Sequence, residues 1–159
     1  MGTVITFGTF DLFHIGHLRV LQRAAEYGDR LVVGISTDEF SLNKKGHPPI
    51  VDYASRAEIV GSLRAVDAVF PEHSLEAKPE YIASWRADVL VMGDDWVRAF
   101  DWLGSICEVV YVPRTPMIST TLLKVEICDT YQAPNGSPRF RPAEAASDQL
   151  FDREVRQIP

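Results

Sequence analysis

Short apolar runs alternate along this chain with longer segments in which apolar residues recur at helical spacing. Residues 3–7 and 30–36 are strand-like, and such nearly continuous apolar runs are typical of strands covered on both faces of a parallel sheet. Across residues 18–27 the side chains of Leu18, Leu21 and Ala24 share one face, which predicts a helix. The same patterns predict strands over residues 68–71, 88–93 and 108–112, and helices over residues 52–66, 76–85, 96–106 and 120–128.

The repeated alternation of strand and helix predicts an α/β fold. It corresponds to a Rossmann-like three-layer domain with a central five-stranded parallel sheet and helices on both faces. Residues 41–51 are predicted to be a basic loop, because Lys44 and Lys45 precede a glycine and tandem prolines. The carboxyl ends of parallel strands meet at one edge of a sheet, so we expect this loop, residues 93–95 and residues 114–121 to converge there with the segment after the first strand.

The length of 159 residues fits one domain, which we place at residues 1–128. Residues 129–159 have a different character, since several prolines and a glycine interrupt regular structure. A short helix is predicted over residues 143–155. Packing on the domain, contact with another subunit and mobility are all open for this C-terminal extension, and its role is unknown.

Bulk properties exclude several classes of function. The net charge of −6 argues against general binding to nucleic acid or to an anionic membrane, although a local anion site is compatible with it. We find no N-terminal signal segment and no apolar run of membrane-spanning length, so a cytoplasmic location is expected. Cys107 and Cys128 do not make a disulfide framework, and both are predicted to be buried free thiols.

Candidate chemistry is concentrated in residues 7–17, F-G-T-F-D-L-F-H-I-G-H. Where a strand turns sharply into a helix, free N–H groups and the positive end of the helix dipole favour a phosphate. His14 and His17 are three apart at this point, and imidazoles donate hydrogen bonds to phosphate oxygens. Histidines at a helix start are more commonly surface or capping residues. A zinc site is poorly supported, because no cysteine or third histidine lies nearby.

This stretch resembles the H-x-G-H motif of the nucleotidylyltransferase superfamily, and the chain is most similar there to bacterial glycerol-3-phosphate cytidylyltransferases. The segments V-I-T-F-G-T-F-D-L-F-H-I-G-H, I-S-T-D-E-F, M-G-D-D-W and P-R-T-P-M-I-S-T-T occur in the order and at the spacing of that family. The resemblance covers residues 3–127. Met117 departs from it, standing where some members have a small residue, and Leu122 and Leu123 replace a more polar start to the last helix.

The resemblance implies in-line transfer of CMP from CTP to glycerol 3-phosphate, giving CDP-glycerol and pyrophosphate without a covalent enzyme intermediate. It implies catalytic roles for His14, His17, Lys44 and Arg114. The nucleotide-binding residues that it implies are Gly8, Thr9, Phe10, Asp11, Gly16, Gly93, Asp94, Thr115, Ile118, Ser119, Thr120 and Thr121. The implied acceptor-binding residues are Lys44, Arg56, Arg64 and Lys78. Mg²⁺ is expected on the triphosphate, with Asp11 and Asp94 as candidate protein ligands, and a homodimer is expected.

Simpler interpretations exist for several of these residues. Lys44 and Lys45 fit a solvated turn, and Arg56 and Arg64 fit ordinary surface charges. One of the aspartates at 94 and 95 fits a helix cap, as do the hydroxyls of residues 119–121. Other acceptors, such as a different polyol phosphate or a phosphosugar, would use the same chemistry, as would adenylyl transfer from ATP in the manner of an FAD synthetase. A non-catalytic nucleotide-binding domain is the alternative from another class. The joint presence of both histidines, Lys44 and Arg114 favours the enzyme.

Overall fold

Five parallel strands form a single sheet at the centre of the first of two units. They are β1 (Thr3–Gly8), β2 (Arg30–Ser36), β3 (Ala68–Glu72), β4 (Ala87–Gly93) and β5 (Glu108–Val112), in the spatial order β3-β2-β1-β4-β5. The computed structural model describes residues 2–131. The two units are Met1–Thr120 and Thr121–Pro159. The helix predicted over residues 143–155 lies outside the described residues.

Helices connect the strands. In the first unit they are α1 (Ile15–Ala25), α2 (Asp38–Lys45), α3 (Tyr53–Gly61) and α4 (Lys78–Trp85), and α5 (Thr120–Tyr131) lies almost wholly in the second unit. Two 3₁₀-helices, Asp94–Trp96 and Asp101–Ser105, lie between β4 and β5. Within residues 2–131, no helix is long and apolar enough to cross a membrane.

Successive residues of β1 enter two separate cores on opposite faces of the sheet. Val4 is fully buried in one core with Leu21 of α1 and Val60 of α3. Ile5 is fully buried in the other, with Ile82 of α4 and Leu103. Because both faces are covered, the strands need apolar side chains at almost every position. The predicted three-layer α/β fold with a five-stranded parallel sheet is therefore confirmed.

The loop predicted over residues 41–51 is wrong in its first part, because residues 38–45 form α2. Thr37 caps this helix by accepting a hydrogen bond from the Phe40 N–H at 3.2 Å. Gly46 ends it in the left-handed conformation, at a φ of 78°. Lys44 and Lys45 thus occupy the last turn of a helix, where successive side chains leave the axis about 100° apart.

Two further predictions need correction. The α-helix predicted over residues 96–106 is wrong, since Arg98, at a φ of 69°, interrupts any helical run between the two 3₁₀-helices. Cys107 is buried, as predicted, but Cys128 is exposed. Helix boundaries also differ, because α1 begins three residues before the predicted start at Leu18. That earlier start places both histidines inside the capping geometry of the helix.

Candidate active site

The segment between β1 and α1 is held in an unusual backbone conformation. Phe10 and Leu12 have φ angles of 54° and 48°, a left-handed region that costs free energy for residues with a side chain. His14 is the N-cap of α1, and its Nδ1 accepts a hydrogen bond from the Gly16 N–H at 3.1 Å. His17 reaches back, and its Nδ1 accepts from the His14 N–H at 3.4 Å. The two histidines therefore form a capping box with imidazoles in place of hydroxyl and carboxylate groups.

This capping fixes the tautomer of both rings. Since Nδ1 accepts a hydrogen bond in each, a neutral imidazole carries its proton on Nε2. The rings of His14 and His17 are stacked, with centroids 3.8 Å apart and planes 21° apart. Nε2 of His14 is buried and has no hydrogen-bond partner among residues 2–131. The helix start thus presents an imidazole N–H donor, that of His14 Nε2, which the described part of the protein does not use.

Both imidazoles are kept neutral by their surroundings. Burial, followed by the neighbouring charge of Arg114, lowers the pKa of His14. Burial lowers the pKa of His17 to about 3, with His14 and the cations of Lys45 and Arg114 acting in the same direction and Asp11 opposing them. At neutral pH both histidines are therefore uncharged hydrogen-bond donors. The positive charge of the site comes from the neighbouring cations, Lys45 and Arg114.

The lowered pKa of His17 predicts how stability depends on pH. The unfolded chain protonates this histidine below about pH 6.5, whereas the folded chain does so only near pH 3. Stability is therefore fully present above pH 6.5 and is lost as the pH falls towards 3. Between pH 7 and pH 5 we expect the free energy of unfolding to fall by about 1–2 kcal/mol more in the wild type than in His17→Asn. Urea denaturation at each pH measures this, and equal losses in the two proteins would contradict it.

Two cations lie beside the histidine pair. Lys45 donates from Nζ to Thr9 Oγ1 at 3.2 Å. Arg114 follows β5, where its backbone N–H donates to Asp94 Oδ1 at 3.3 Å and its guanidinium lies 3.5 Å from Asp95 Oδ2. Both cations act electrostatically on His17. The carboxyl ends of β1, β4 and β5 and the last turn of α2 thus place positive charge around the imidazole N–H groups.

Asp11 and Arg56 hold the turn after β1 against the segment before α3. The buried carboxylate of Asp11 accepts hydrogen bonds from the Ile50 N–H at 3.1 Å and the Val51 N–H at 3.0 Å. Arg56 is 1% exposed and donates to the carbonyls of residues 9, 36 and 51, and to Asp38 Oδ1 at 2.7 Å. Arg56, which the sequence resemblance assigns to the acceptor, is thus engaged by protein groups.

A second charged group lies at the carboxyl ends of β2 and β3. Glu72 is buried, accepting from Ser36 Oγ at 2.7 Å and from Lys78 Nζ at 2.5 Å. Lys78 is fully buried, its ammonium 3.5 Å from the ring centroid of Phe7. Lys44 interacts electrostatically with both of these charges. The two neighbouring lysines of α2 therefore have different surroundings. Lys45 lies beside the histidine pair, whereas Lys44 interacts with the charges of Glu72 and Lys78.

The structure brings together most of the site residues predicted from the sequence. A side chain at Gly16 would lie 2.8 Å from the His14 ring and 3.2 Å from Ile118, so Ile118 approaches the start of α1 closely. Thr120 donates from Oγ1 to the Asp11 carbonyl at 2.9 Å. Arg64 is exposed beyond the end of α3, and Thr121 belongs to the second unit. A buried Thr115 hydroxyl has no hydrogen-bond partner within the described part of the chain.

Sequence reasoning missed four residues that shape the site. They are Ser36, Asp38, Lys45 and Glu72. A signal was available for two of them, because Ser36 and Glu72 are polar residues that end apolar strands at the edge where α/β sheets bind ligands. Asp38, like Ser36, lies within the segment I-S-T-D-E-F that carries the family resemblance, so that motif was an available signal for it.

The described residues do not form a metal centre of their own. No group of three or more histidine, cysteine, aspartate or glutamate residues within 2–131 is arranged to hold an ion. Both oxygens of the Asp11 carboxylate already accept backbone N–H groups. Asp94 is exposed and is the candidate carboxylate that can still reach a metal carried by a ligand.

The chain belongs to the cytidylyltransferase-like family, whose model matches residues 5–126. Two relatives are glycerol-3-phosphate cytidylyltransferases. That of Bacillus subtilis (strain 168) is 52% identical over 127 residues, covering 80% of this chain and 98% of that protein. That of Staphylococcus aureus (strain NCTC 8325 / PS 47) is 46% identical over 129 residues, covering 80% of this chain and 96% of that protein.

A solved structure shares the fold. The lipopolysaccharide core biosynthesis protein from Thermoplasma volcanium GSS1 superposes with a TM-score of 0.61 and 25% sequence identity, covering 71% of this chain and 97% of that one. The family resemblance inferred from the motifs is therefore confirmed.

Proposed function

We propose that this protein transfers CMP from CTP to glycerol 3-phosphate and releases pyrophosphate. The observation that carries the proposal is the similarity to two proteins of that name over almost their whole length. The geometry supports it chemically, since two neutral imidazoles and two cations meet at a helix N-terminus. Polyanionic substrates are the ligands that such a site favours.

The reaction needs positioning more than acid–base chemistry. An ionised oxygen of the acceptor phosphate attacks the α-phosphorus of CTP, a new P–O bond forms, and the bond to the β-phosphate breaks. The difficulty is to hold two polyanions in line and to stabilise the charge that builds up on the α-phosphate and the departing pyrophosphate. Preorganised N–H donors and cations do both without forming a covalent bond to the enzyme.

We assign the nucleotide phosphates to His14, His17, Lys45 and Arg114. Nε2 of the histidines donates to the α-phosphate, while the two cations neutralise the charge of the pyrophosphate leaving group. The triphosphate then lies between the turn after β1 and the segment after β5, with the other predicted nucleotide-binding residues lining it. They are Gly8, Thr9, Phe10, Asp11, Gly16, Gly93, Asp94, Thr115, Ile118, Ser119 and Thr120. Thr121 stays a prediction from the sequence.

The acceptor phosphate is assigned to Lys44. Its ammonium lies 4.7 Å from the Phe40 ring centroid and 5.9 Å from that of Trp96, and this burial lowers the pKa of Lys44. Lys44 is exposed as a whole residue, so we expect its partly desolvated charge to remain within reach of a ligand. Arg64 remains a predicted acceptor contact, and Arg56 and Lys78 act through protein groups.

The nucleotide is expected to bind with a divalent metal, Mg²⁺ being our proposal. Since Asp11 is engaged by backbone N–H groups, a metal bound with the triphosphate would be left with Asp94 as its candidate carboxylate ligand. The metal would supply positive charge that stabilises the leaving group. A homodimer and a cytoplasmic location remain predictions from the sequence.

Pyrophosphate release tests the proposal. The four nucleoside triphosphates are crossed, with Mg²⁺, against a panel of phosphorylated polyols and phosphosugars. We expect strong release only with CTP and glycerol 3-phosphate, together with CDP-glycerol by mass spectrometry. Release with CTP and another acceptor would show that glycerol 3-phosphate is the wrong acceptor. A preference for ATP would show that CTP is the wrong nucleotide. Stabilisation by CTP without release under any condition would indicate a non-catalytic binding domain.

A further inference from the structure

The chain that follows β5 runs alongside α1. Residues 113–119 form neither helix nor strand. Arg23, in the last turn of α1, donates from Nη1 to the Pro113 carbonyl at the start of this stretch. Near the other end of the stretch, Ile118 approaches the first turn of α1, since a side chain at Gly16 would lie 3.2 Å from it. The stretch therefore extends along the helix from its last turn back to its first.

The contact at Ile118 alone does not fix where the stretch begins. From Arg23 back to Gly16, α1 spans about 10 Å. The five residues from Pro113 to Ile118 can extend about 17 Å, so the chain between them is longer than the distance requires. β5 has already ended at Val112, and its ladder no longer holds the backbone. The hydrogen bond from Arg23 thus supplies a constraint that the sheet does not.

Arg23 and Asp94 hold the same peptide unit from its two sides. The carbonyl of Pro113 accepts from Arg23, and the N–H of Arg114 in that unit donates to Asp94 Oδ1 at 3.3 Å. Because a peptide unit is planar, fixing its C=O and its N–H fixes the direction in which the Arg114 side chain leaves the backbone. The guanidinium itself is 3.5 Å from Asp95 Oδ2, and an ion pair with both partners exposed contributes little to order.

We propose that Arg23 is a positioning residue that, by holding the peptide unit between Pro113 and Arg114, keeps the Arg114 guanidinium beside the histidine pair. His14 and His17 belong to the N-cap and first turn of the same helix. One rigid helix thus carries the imidazoles at one end and, at the other, the residue that sets the place of their neighbouring cation. The proposal rests on the proposed function in the assignment of Arg114 to the nucleotide phosphates. Arg23 acts from the far end of α1 and does not touch the substrate.

The variant Arg23→Met removes the donor and keeps a long apolar stem. With Arg114 less well placed, we expect kcat/KM for CTP to fall about tenfold. KM for glycerol 3-phosphate should change less than about twofold, because Lys44 lies on α2. Since one hydrogen bond of a half-buried side chain is lost, the melting temperature should fall by less than about 4 °C. Arg23→Lys can still donate to the carbonyl and should recover kcat/KM for CTP to within about threefold of the wild type.

Arg19→Met is the matched control, because Arg19 is exposed on the same helix, one turn closer to the histidines. All its kinetic constants should stay within about twofold of the wild type. A kcat/KM for CTP within twofold in Arg23→Met as well would overturn the proposal. Unfolding of Arg23→Met, or a parallel loss for both substrates, would show that Arg23 is merely structural and would overturn it too.

A readout that needs no turnover follows the position of the Arg114 charge. That charge lowers the pKa of His14, and NMR of the histidine ring protons measures this pKa, with His14→Asn for assignment. We expect the pKa of His14 to rise in Arg114→Met, which removes the charge, and to rise in Arg23→Met, which releases it. In Arg19→Met the pKa of His14 should not change.

The NMR result also separates this proposal from the proposed function. An unchanged pKa of His14 in Arg23→Met, or an equal rise in Arg19→Met, would overturn the positioning role of Arg23. Absence of CDP-glycerol formation by the wild type would instead overturn the proposed function. The titration of His14 would still test whether Arg23 places Arg114, because it uses the free protein without either substrate.

Discussion

Replacing His14 by asparagine lowers kcat for pyrophosphate release by about 10²- to 10³-fold while the protein stays folded. Nε2 of His14 is buried without a partner in the described chain, so under the proposed function we expect it to donate to the substrate. A preorganised donor to a developing charge contributes about 3–4 kcal/mol to the transition state. Because the imidazole is neutral at working pH, its loss removes a hydrogen bond rather than a charge.

Asparagine is chosen because it separates catalysis from capping. His14 caps α1 by accepting from the Gly16 N–H, and asparagine is among the preferred residues at that position. His14→Ala loses the cap as well, which is expected to cost about 1 kcal/mol of stability in addition to the activity. Comparing the two variants therefore assigns the rate to Nε2 and the stability to Nδ1.

The matched control is His73→Asn, an exposed histidine just beyond the end of β3. We expect its kcat and melting temperature to equal those of the wild type. Steady-state pyrophosphate release and thermal unfolding measure the two quantities for each variant. If His14→Asn kept more than a tenth of the wild-type kcat, His14 would have no place in the reaction.

Replacing Arg56 by lysine destabilises the protein by about 3 kcal/mol. The guanidinium is 1% exposed and donates to three backbone carbonyls and to Asp38. An ammonium cannot reach all four acceptors from one point, because it lacks the planar fork of arginine. The Asp38 carboxylate and at least one carbonyl would then lose their buried partner, and that loss causes the destabilisation.

Arg64→Lys is the matched control for this second prediction. Arg64 is exposed, so the change should alter the free energy of unfolding by less than about 0.5 kcal/mol. Urea denaturation of both variants gives the comparison. Equal stability of the two would mean that the buried hydrogen bonds of Arg56 contribute nothing, and would return Arg56 to the predicted role of a direct acceptor contact.

The strands of the sheet could be predicted from the sequence because helices cover both faces of the sheet. Val4 and Ile5 are both fully buried although they lie on opposite faces, and this double burial produces the continuous apolar runs seen in the sequence. α2 was missed for the opposite reason, since it buries only Ser41 and carries no apolar stripe. Its ends were nevertheless marked, by Thr37 as N-cap and Gly46 as C-cap.

The motif residues of the candidate site could be predicted from the sequence, but the buried charged residues that hold the site in place could not. His14 and His17 stand in a recognisable stretch, whereas the pairing of Lys78 with Glu72 joins residues that lie in different elements and have no sequence pattern in common. The same holds for Arg56 and Asp38, which are 18 residues apart. Charged residues are usually exposed, so nothing local indicated that Lys78, Glu72 and Arg56 would be withdrawn from solvent.

Because Lys44 and Lys45 share the last turn of α2, their directions are set by helical phase. One residue inserted within α2 would rotate all that follows by about 100° and would exchange the surroundings of the two lysines. One residue inserted after Gly46 would leave both directions unchanged, until the chain is anchored again at Ile50 and Val51 by Asp11. Length variation among relatives should therefore accumulate between Gly46 and Ile50, and the spacing from Thr37 to Lys45 should be preserved through evolution.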